Sequence, residues 1–283
     1  MSDAPRPAPA PWSAKGRLRV GHGSLEYACL GPPPPEAPTL VLLHEGLGSV
    51  GLWRGFPGAL AHATGLGVLA YSRAGYGRSD PVELPRPLDY MTREALDVLP
   101  EVLDALRIRR AALVGHSDGA TIAAIHAGRV ADARVRALVL MAPHFFTEPA
   151  GLAAIAEARV AFEDGDLRAR LAKHHADPDV AFRGWNDAWL DPGFRAWHVG
   201  EALDTVAVPT LAIQGRDDQY GTLAQVDEVT RRVRAPVDTL ILDGCRHAPH
   251  LEREAETLAA IARHLARAGL EPVPPGTAPP DAG

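Results

Sequence analysis

The feature that most constrains this chain is the alternation of short apolar runs with longer helical patterns. Thr39–Leu43, Val68–Tyr71, Ala111–Val114, Ala137–Met141, Thr210–Gln214 and Thr239–Leu242 are dominated by aliphatic side chains, with little polar alternation. Runs of that kind suit strands covered on both faces. Helical patterns lie between them: one ends near Ala63, one runs from about Thr92 to Leu106, one from Ser117 to about Val130, and a last one from about Glu252 to Ala268. Strands that alternate with helices of this length predict βαβ crossovers, and so an α/β fold with a mostly parallel central sheet flanked by helices. Ahead of them, Leu18–Val20 and Leu25–Leu30 read as two antiparallel strands with His22–Gly23 in the turn.

The rhythm breaks over 145–205. Three helical stretches (Ala150–Phe162, Asp166–His175 and Val180–Trp189) occur there without a convincing strand, and three of the chain's five tryptophans with them. The expected organisation is an α/β core over 16–144 and 206–270, with 145–205 inserted as a helical cap able to close a pocket. The Pro- and Ala-rich ends, 1–15 and 271–283, have too little apolar surface to offset the entropy of ordering and are expected to be disordered. A length of 283 residues fits one large domain with such an insertion. The formal charge of −6 argues against nucleic acid as a partner. There is no run of about 18 apolar residues, so no membrane span is expected. The N-terminus lacks an apolar signal region, which makes the cytoplasm the expected location. Cys29 and Cys245 form no CxxC pair and read as buried free thiols.

The chemistry centres on Gly115-His116-Ser117-Asp118-Gly119. It follows the apolar run AALV and opens a helical pattern, the strand–turn–helix setting of a G-x-S-x-G elbow. Small residues two positions either side let strand and helix approach, which lifts the serine to the carboxyl edge of the sheet. The N–H of Asp118 would then point to where an oxyanion forms. An N-capping serine at an ordinary helix start is the alternative. A serine hydroxyl needs a base. His247, in the loop between the last strand and the last helix, lies at the same edge; His250 is its competitor. The orienting acid is expected in Gly215-Arg216-Asp217-Asp218, after the strand TLAIQ, as Asp218 or its neighbour Asp217. Serine, acid and histidine appear in the chain order known for such elbows.

These segments together resemble the α/β-hydrolase family with a helical cap, from about Leu18 to Ala268. Val41-Leu42-Leu43-His44 resembles the strand and histidine that open the family's oxyanion loop. Tyr71 to Ser79 (YSRAGYGRS) resembles its Asp-x-Arg-Gly-x-Gly-x-Ser turn, with Ser72 and Ala74 off pattern. The resemblance implies a nucleophile at Ser117, favours Asp218 over Asp217, assigns the base to His247 and demotes His250. Where the family usually has His-Gly, this chain has His44-Glu45-Gly46, which leaves the second oxyanion donor among the N–H groups of Glu45, Gly46 and Leu47, with Gly46 favoured. It also brings a carboxylate to the loop. Glu45 and Asp118 either point away into backbone hydrogen bonds or bind a cationic or hydroxylated part of the substrate.

The implied activity is hydrolysis of a small ester, thioester or related acyl bond through an acyl-enzyme, with no metal or organic cofactor. Carbon–carbon hydrolysis or a lyase reaction is the alternative on the same fold, and a non-catalytic ligand-binding protein the alternative of another class. Gly46-Leu47-Gly48-Ser49-Val50-Gly51 fits the glycine pattern of a dinucleotide site, but that reading leaves Ser117, Asp218 and His247 without a role. Glu45, Trp53, Trp185, Trp189 and Tyr220 are expected to contact a small-molecule substrate, with Trp197, Phe145 and Phe146 as further candidates for the pocket wall. No oligomeric state is read from these residues.

Overall fold

The computed structural model describes Trp12, residues 15–21 and residues 23–272; the expectations for His22 and for most of both proline-rich ends lie outside the described residues. Trp12, expected in the N-terminal tail, is held: its indole N–H donates to the Gly31 carbonyl at 3.1 Å.

Among the described residues, eight strands form one sheet in the order β1-β2-β4-β3-β5-β6-β7-β8. They are β1 (Gly16–Val20), β2 (Gly23–Leu30), β3 (Thr39–Leu43), β4 (Gly67–Tyr71), β5 (Ala111–His116), β6 (Val135–Met141), β7 (Thr210–Gly215) and β8 (Val237–Leu242). The pairs β1/β2 and β2/β4 are antiparallel, and every later pair is parallel. Strands β3, β4 and β5 are buried at every position. Alternate residues serve opposite faces: Val41, Leu43 and Leu113 pack into one core, and Leu40, Leu42, Ala112 and Val114 into the other.

Helices Phe56–Thr64 and Glu254–Arg267 supply the second of these cores. The continuous helical run that begins at Tyr90 and ends at Ala105, the run from Asp118 to Val130, and helix Ala224–Arg232 supply the first. The last of these, polar along most of its length, was not anticipated from the sequence. Helix Phe56–Thr64 stops because Gly65 takes up a left-handed conformation (φ 68°) that costs glycine little.

Between β6 and β7 run helices Pro149–Glu163, Leu167–Leu171 and Pro178–Leu190. The third begins at an Asp177 cap, whose side chain accepts from the N–H groups of Asp179 and Val180, with Pro178 in the first turn. The second is shorter than its pattern suggests, because His175 leaves the helix to bridge two core loops. Its Nδ1 accepts from Gly77 N–H at 2.9 Å, and its Nε2–H donates to the Leu47 carbonyl at 3.0 Å. The two ends of the whole segment meet at a short neck: Val199 N–H donates to the Phe145 carbonyl at 2.8 Å, Thr147 N–H to the Trp197 carbonyl at 3.3 Å, and Phe146 bridges His198 antiparallel.

Candidate active site

Ser117 lies between β5 and helix Asp118–Ile125 with φ 54° and ψ −119°, a conformation costly for a residue with a Cβ. The flanking glycines make the turn possible. A Cβ on Gly119 would run into the Leu43 and His44 carbonyls, and one on Gly115 into the backbone of Gly119 and Ala120. Ser117 N–H is held by the Met141 carbonyl at 2.9 Å. The serine thus stands at the carboxyl ends of β5 and β6, where open α/β sheets bind their ligands.

His247 reaches the same place from the loop after β8. Its Nδ1–H donates to the Asp218 carboxylate, at 2.8 Å to Oδ2 and 3.0 Å to Oδ1. Asp218 also accepts from Gln214 Nε2 at 2.7 Å and from Tyr220 N–H at 2.8 Å. Burial opposes its charge, but the hydrogen bond and charge of His247 together with the Tyr220 N–H overcome this and lower the carboxyl's pKa. Asp217 is exposed and takes no part. His250 is buried against Trp53 and Phe56, with ring centroids 5.0 and 5.3 Å away.

The loop after β3 is pinned through one atom. The Glu45 carbonyl accepts from His44 Nδ1–H at 2.7 Å, from Arg73 Nη2 at 2.9 Å and from Gly48 N–H at 3.0 Å. A trans peptide directs its N–H opposite to its carbonyl, so the Gly46 N–H faces away from these donors. A Cβ at Gly46 would overlap the Trp185 indole. That indole covers the loop where the dinucleotide reading would seat a pyrophosphate.

A pocket partly open to solvent, with about 420 Å³ of empty space when the solvent at its mouth is included, is lined by Glu45, Gly46, Leu47, Ser117, His144, Ile155, Trp185, Trp189, Tyr220 and His247. The structure therefore brings Glu45, Gly46, Ser117, Trp185, Trp189, Tyr220 and His247 together, with Asp218 behind His247. Trp53 is corrected. It is 1% exposed, stacked on Phe56 with ring centroids 5.9 Å apart, in the core across the sheet from most of the helices. Trp197, Phe145 and Phe146 are likewise taken up elsewhere. Trp197 stacks on Phe194 at 4.9 Å, Phe146 lies over His198 at 6.1 Å, and Phe145 is wholly buried.

The two carboxylates differ. Glu45 borders the pocket, with Oε2 3.5 Å from His116 Nδ1. Burial disfavours its charge, yet the facing His116 outweighs that and lowers its pKa. Glu45 in turn raises His116 against the desolvation that would lower it. Asp118 is fully buried and turned away from the pocket. Its Oδ2 accepts from Tyr90 Oη–H at 2.5 Å and lies 3.7 Å from Arg73 Nη2. Its partners are side chains rather than the backbone groups anticipated, and burial raises its pKa despite Arg73.

His144 was missed. It stands three residues past the end of β6, its ring lies 5.6 Å from that of His247 and 5.4 Å from Trp189, and desolvation lowers its pKa to about 3. Its place just after a buried strand, at the edge that carries the other site residues, is the signal that would have found it.

Sheet order, crossover helices and a strained serine at a strand–helix turn define an α/β-hydrolase fold, and the chain belongs to the alpha/beta hydrolase family, whose model matches residues 40–261. Epoxide hydrolase A of Mycobacterium tuberculosis (strain ATCC 25618 / H37Rv) is 27% identical over 306 aligned positions, which span 84% of this chain and 92% of that protein. Among solved structures, proline iminopeptidase of Mycobacterium smegmatis superposes with a TM-score of 0.72 at 22% identity, over 90% of this chain and 99% of the other. The 2-hydroxy-6-oxo-6-phenylhexa-2,4-dienoate hydrolase of Rhodococcus sp. strain RHA1 gives 0.72 at 19%, over 89% and 98%.

Proposed function

We propose that this protein is a serine hydrolase that cleaves a small ester, thioester or related acyl bond through an acyl-enzyme on Ser117. The observation that carries the reading is the strained Ser117 sharing one pocket with a His247 whose Nδ1–H is committed to Asp218. That bond fixes the tautomer and leaves Nε2 as the proton acceptor. His247 Nε2 takes the Ser117 proton as Oγ bonds to the substrate carbonyl carbon. The carbonyl electron pair moves onto oxygen, and the N–H groups of Asp118 and Gly46 receive it. Collapse breaks the bond to the leaving group, which departs with the proton from His247. Water then repeats the sequence on the acyl-enzyme. The helical segment between β6 and β7 acts as a cap, contributing Ile155, Trp185 and Trp189 to a mostly apolar wall that suits a compact acyl group.

The nucleophile's chemistry separates this reading from epoxide opening. A hydroxyl that opens an epoxide leaves an ether, which water at this site would not hydrolyse, whereas acyl transfer leaves an ester that it does. Glu45, kept ionised by His116, is assigned to a hydroxyl or ammonium group of the substrate.

Two experiments test this. A fluorophosphonate probe, read by mass spectrometry, should modify Ser117 stoichiometrically, and Ser117→Ala should remove both label and esterase activity. Turnover is expected to drop by about 10⁴-fold or more while the melting temperature stays near that of the wild type. A folded wild-type protein that neither labels nor hydrolyses an ester panel counts against the reading. For Glu45, a matched pair of amino-substituted and plain esters should lose about tenfold in relative kcat/KM on Glu45→Gln. An unchanged ratio removes that assignment.

A further inference from the structure

The site so far leaves a buried group of side chains unexplained. Arg73 and Asp118 are 1% and 0% exposed, and neither lines the pocket. Burying a charge pair is expensive, and the pair lies in the interior just behind Ser117. What Arg73 touches is specific. Its Nη2 donates to the Glu45 carbonyl at 2.9 Å, and the same nitrogen lies 3.7 Å from Asp118 Oδ2. Asp118 Oδ2 is held from its other side by Tyr90 Oη–H at 2.5 Å, and Tyr90 Oη accepts from Trp189 Nε1–H at 3.0 Å. Arg73 itself is fixed at the backbone, where its N–H donates to His44 Nε2 at 3.0 Å.

We infer that the Arg73–Asp118 ion pair is a clamp that sets the position of the two oxyanion donors relative to each other. The inference rests on the acyl-transfer reading. One donor is the N–H of Asp118 itself. The other, Gly46 N–H, belongs to the peptide whose carbonyl Arg73 holds. One guanidinium nitrogen therefore links the peptide of one donor to the side chain of the residue that supplies the other. Gly46 sits on the loop after β3 and Asp118 opens the helix after β5, and among the described residues no strand pairing extends to either of them. Oxyanion stabilisation depends on donor placement to within a fraction of an ångström, and a misplacement of about 1 Å costs about 100-fold. Arg73 and Asp118 are thus positioning residues: they meet no substrate and act through the backbone they hold. Tyr90 extends the same thread to Trp189, so the pocket wall and the oxyanion donors share one support.

The test compares Asp118→Asn, Arg73→Lys and Arg73→Met with the wild type. Each is assayed with p-nitrophenyl butyrate, titrated for active sites with a fluorophosphonate, and measured for affinity to butylboronic acid, whose serine adduct places an oxygen where the oxyanion forms. Asn keeps an acceptor for Tyr90 but removes the charge; Lys keeps the charge but not the fork. Asp118→Asn should lower kcat per titrated site about 10–100-fold with KM within about threefold, and should weaken the boronic acid by the same factor as kcat/KM. Arg73→Lys should fall between the wild type and Arg73→Met. A merely structural role would reduce the titratable fraction and leave the surviving sites at wild-type kcat, and that result overturns the clamp. So does an Asp118→Asn enzyme with wild-type kcat and boronic acid affinity. If Arg73→Met does not fold, Asp118→Asn and Arg73→Lys decide. A wild type that neither labels nor turns over the ester brings down the acyl-transfer reading and the clamp with it, whereas an active wild type with indifferent variants brings down the clamp alone.

Discussion

At the scale of single residues, the site depends on places where one extra carbon or one lost proton acceptor has a large effect. Gly119 is such a place: a methyl there would meet the Leu43 carbonyl, so β3 and the helix after Ser117 would have to part. Gly119→Ala should cost about 3 kcal/mol and abolish labelling of Ser117, read by denaturant melts and the fluorophosphonate. Asp218→Asn should retain the fold and lower kcat about 10⁴-fold, since the tautomer of His247 would no longer be fixed; a loss under tenfold would count against Asp218 as the orienting acid. The neighbourhood of Ser117, Asp218 and His247 was legible because each follows an apolar run near a strand end, whereas the choice of Asp218 over Asp217 and of His247 over His250 needed the family resemblance. Trp53 was not legible. Its place depends on which side of a single turn, Val50–Trp53, faces the core, and four residues carry no periodicity to reveal that. The partnership of Arg73 with Asp118 was equally hidden, because the loop after β4 and the start of the helix after β5 meet only once the sheet is assembled.

At the scale of elements, the helices between β6 and β7 are held to one another by two interior contacts. Phe162 and Phe182 stack at 3.9 Å, and Asn186, fully buried, accepts from Arg159 Nε at 2.7 Å and donates to the Ile155 carbonyl at 2.8 Å. Both contacts join helix Pro149–Glu163 to Pro178–Leu190, and these two helices bring Ile155, Trp185 and Trp189 to the pocket. Phe182→Ala should therefore destabilise the packing by about 3–4 kcal/mol and raise KM more than it lowers kcat. A pure kcat effect would mean that these helices shape the reacting centre rather than the binding wall. The helical character of this segment was readable from its pattern. Its second helix was overestimated: it ends at Leu171, and His175, four residues on, is held by Gly77 and Leu47 of the core loops.

At the scale of the whole molecule, the histidines make stability depend on pH. His144 and His250 are 4% and 2% exposed, and burial lowers both to about 3. In the unfolded chain they take up protons below about 6.5, so the stability they give is complete above that pH and is lost as pH falls toward 3, at about 1.4 kcal/mol per unit for each. His44, His126, His175 and His264 are lowered in the same direction by burial. His116, Asp118 and Glu94 are raised and offset part of it. Denaturant melts from pH 7 to pH 4 should therefore show a steady loss of stability with net proton uptake on unfolding, and a flat profile would contradict this. The parallel sheet was readable in outline because β3, β4, β5 and β7 are buried at every position, whereas helix Ala224–Arg232 was not, being mostly polar with Val226 and Val229 as its buried apolar side chains. The neck at Phe145–Thr147 and Trp197–Val199 has a consequence for how such a molecule can be altered. The chain departs from the core and returns to it across the width of one hydrogen bond, so residues 148–196 form an excursion that the sheet need not register. A different excursion grafted onto the same neck would meet the same Ser117, Asp218 and His247, so selectivity is transferable as long as the graft restores the contacts that His175 makes with Leu47 and Trp189 makes with Tyr90.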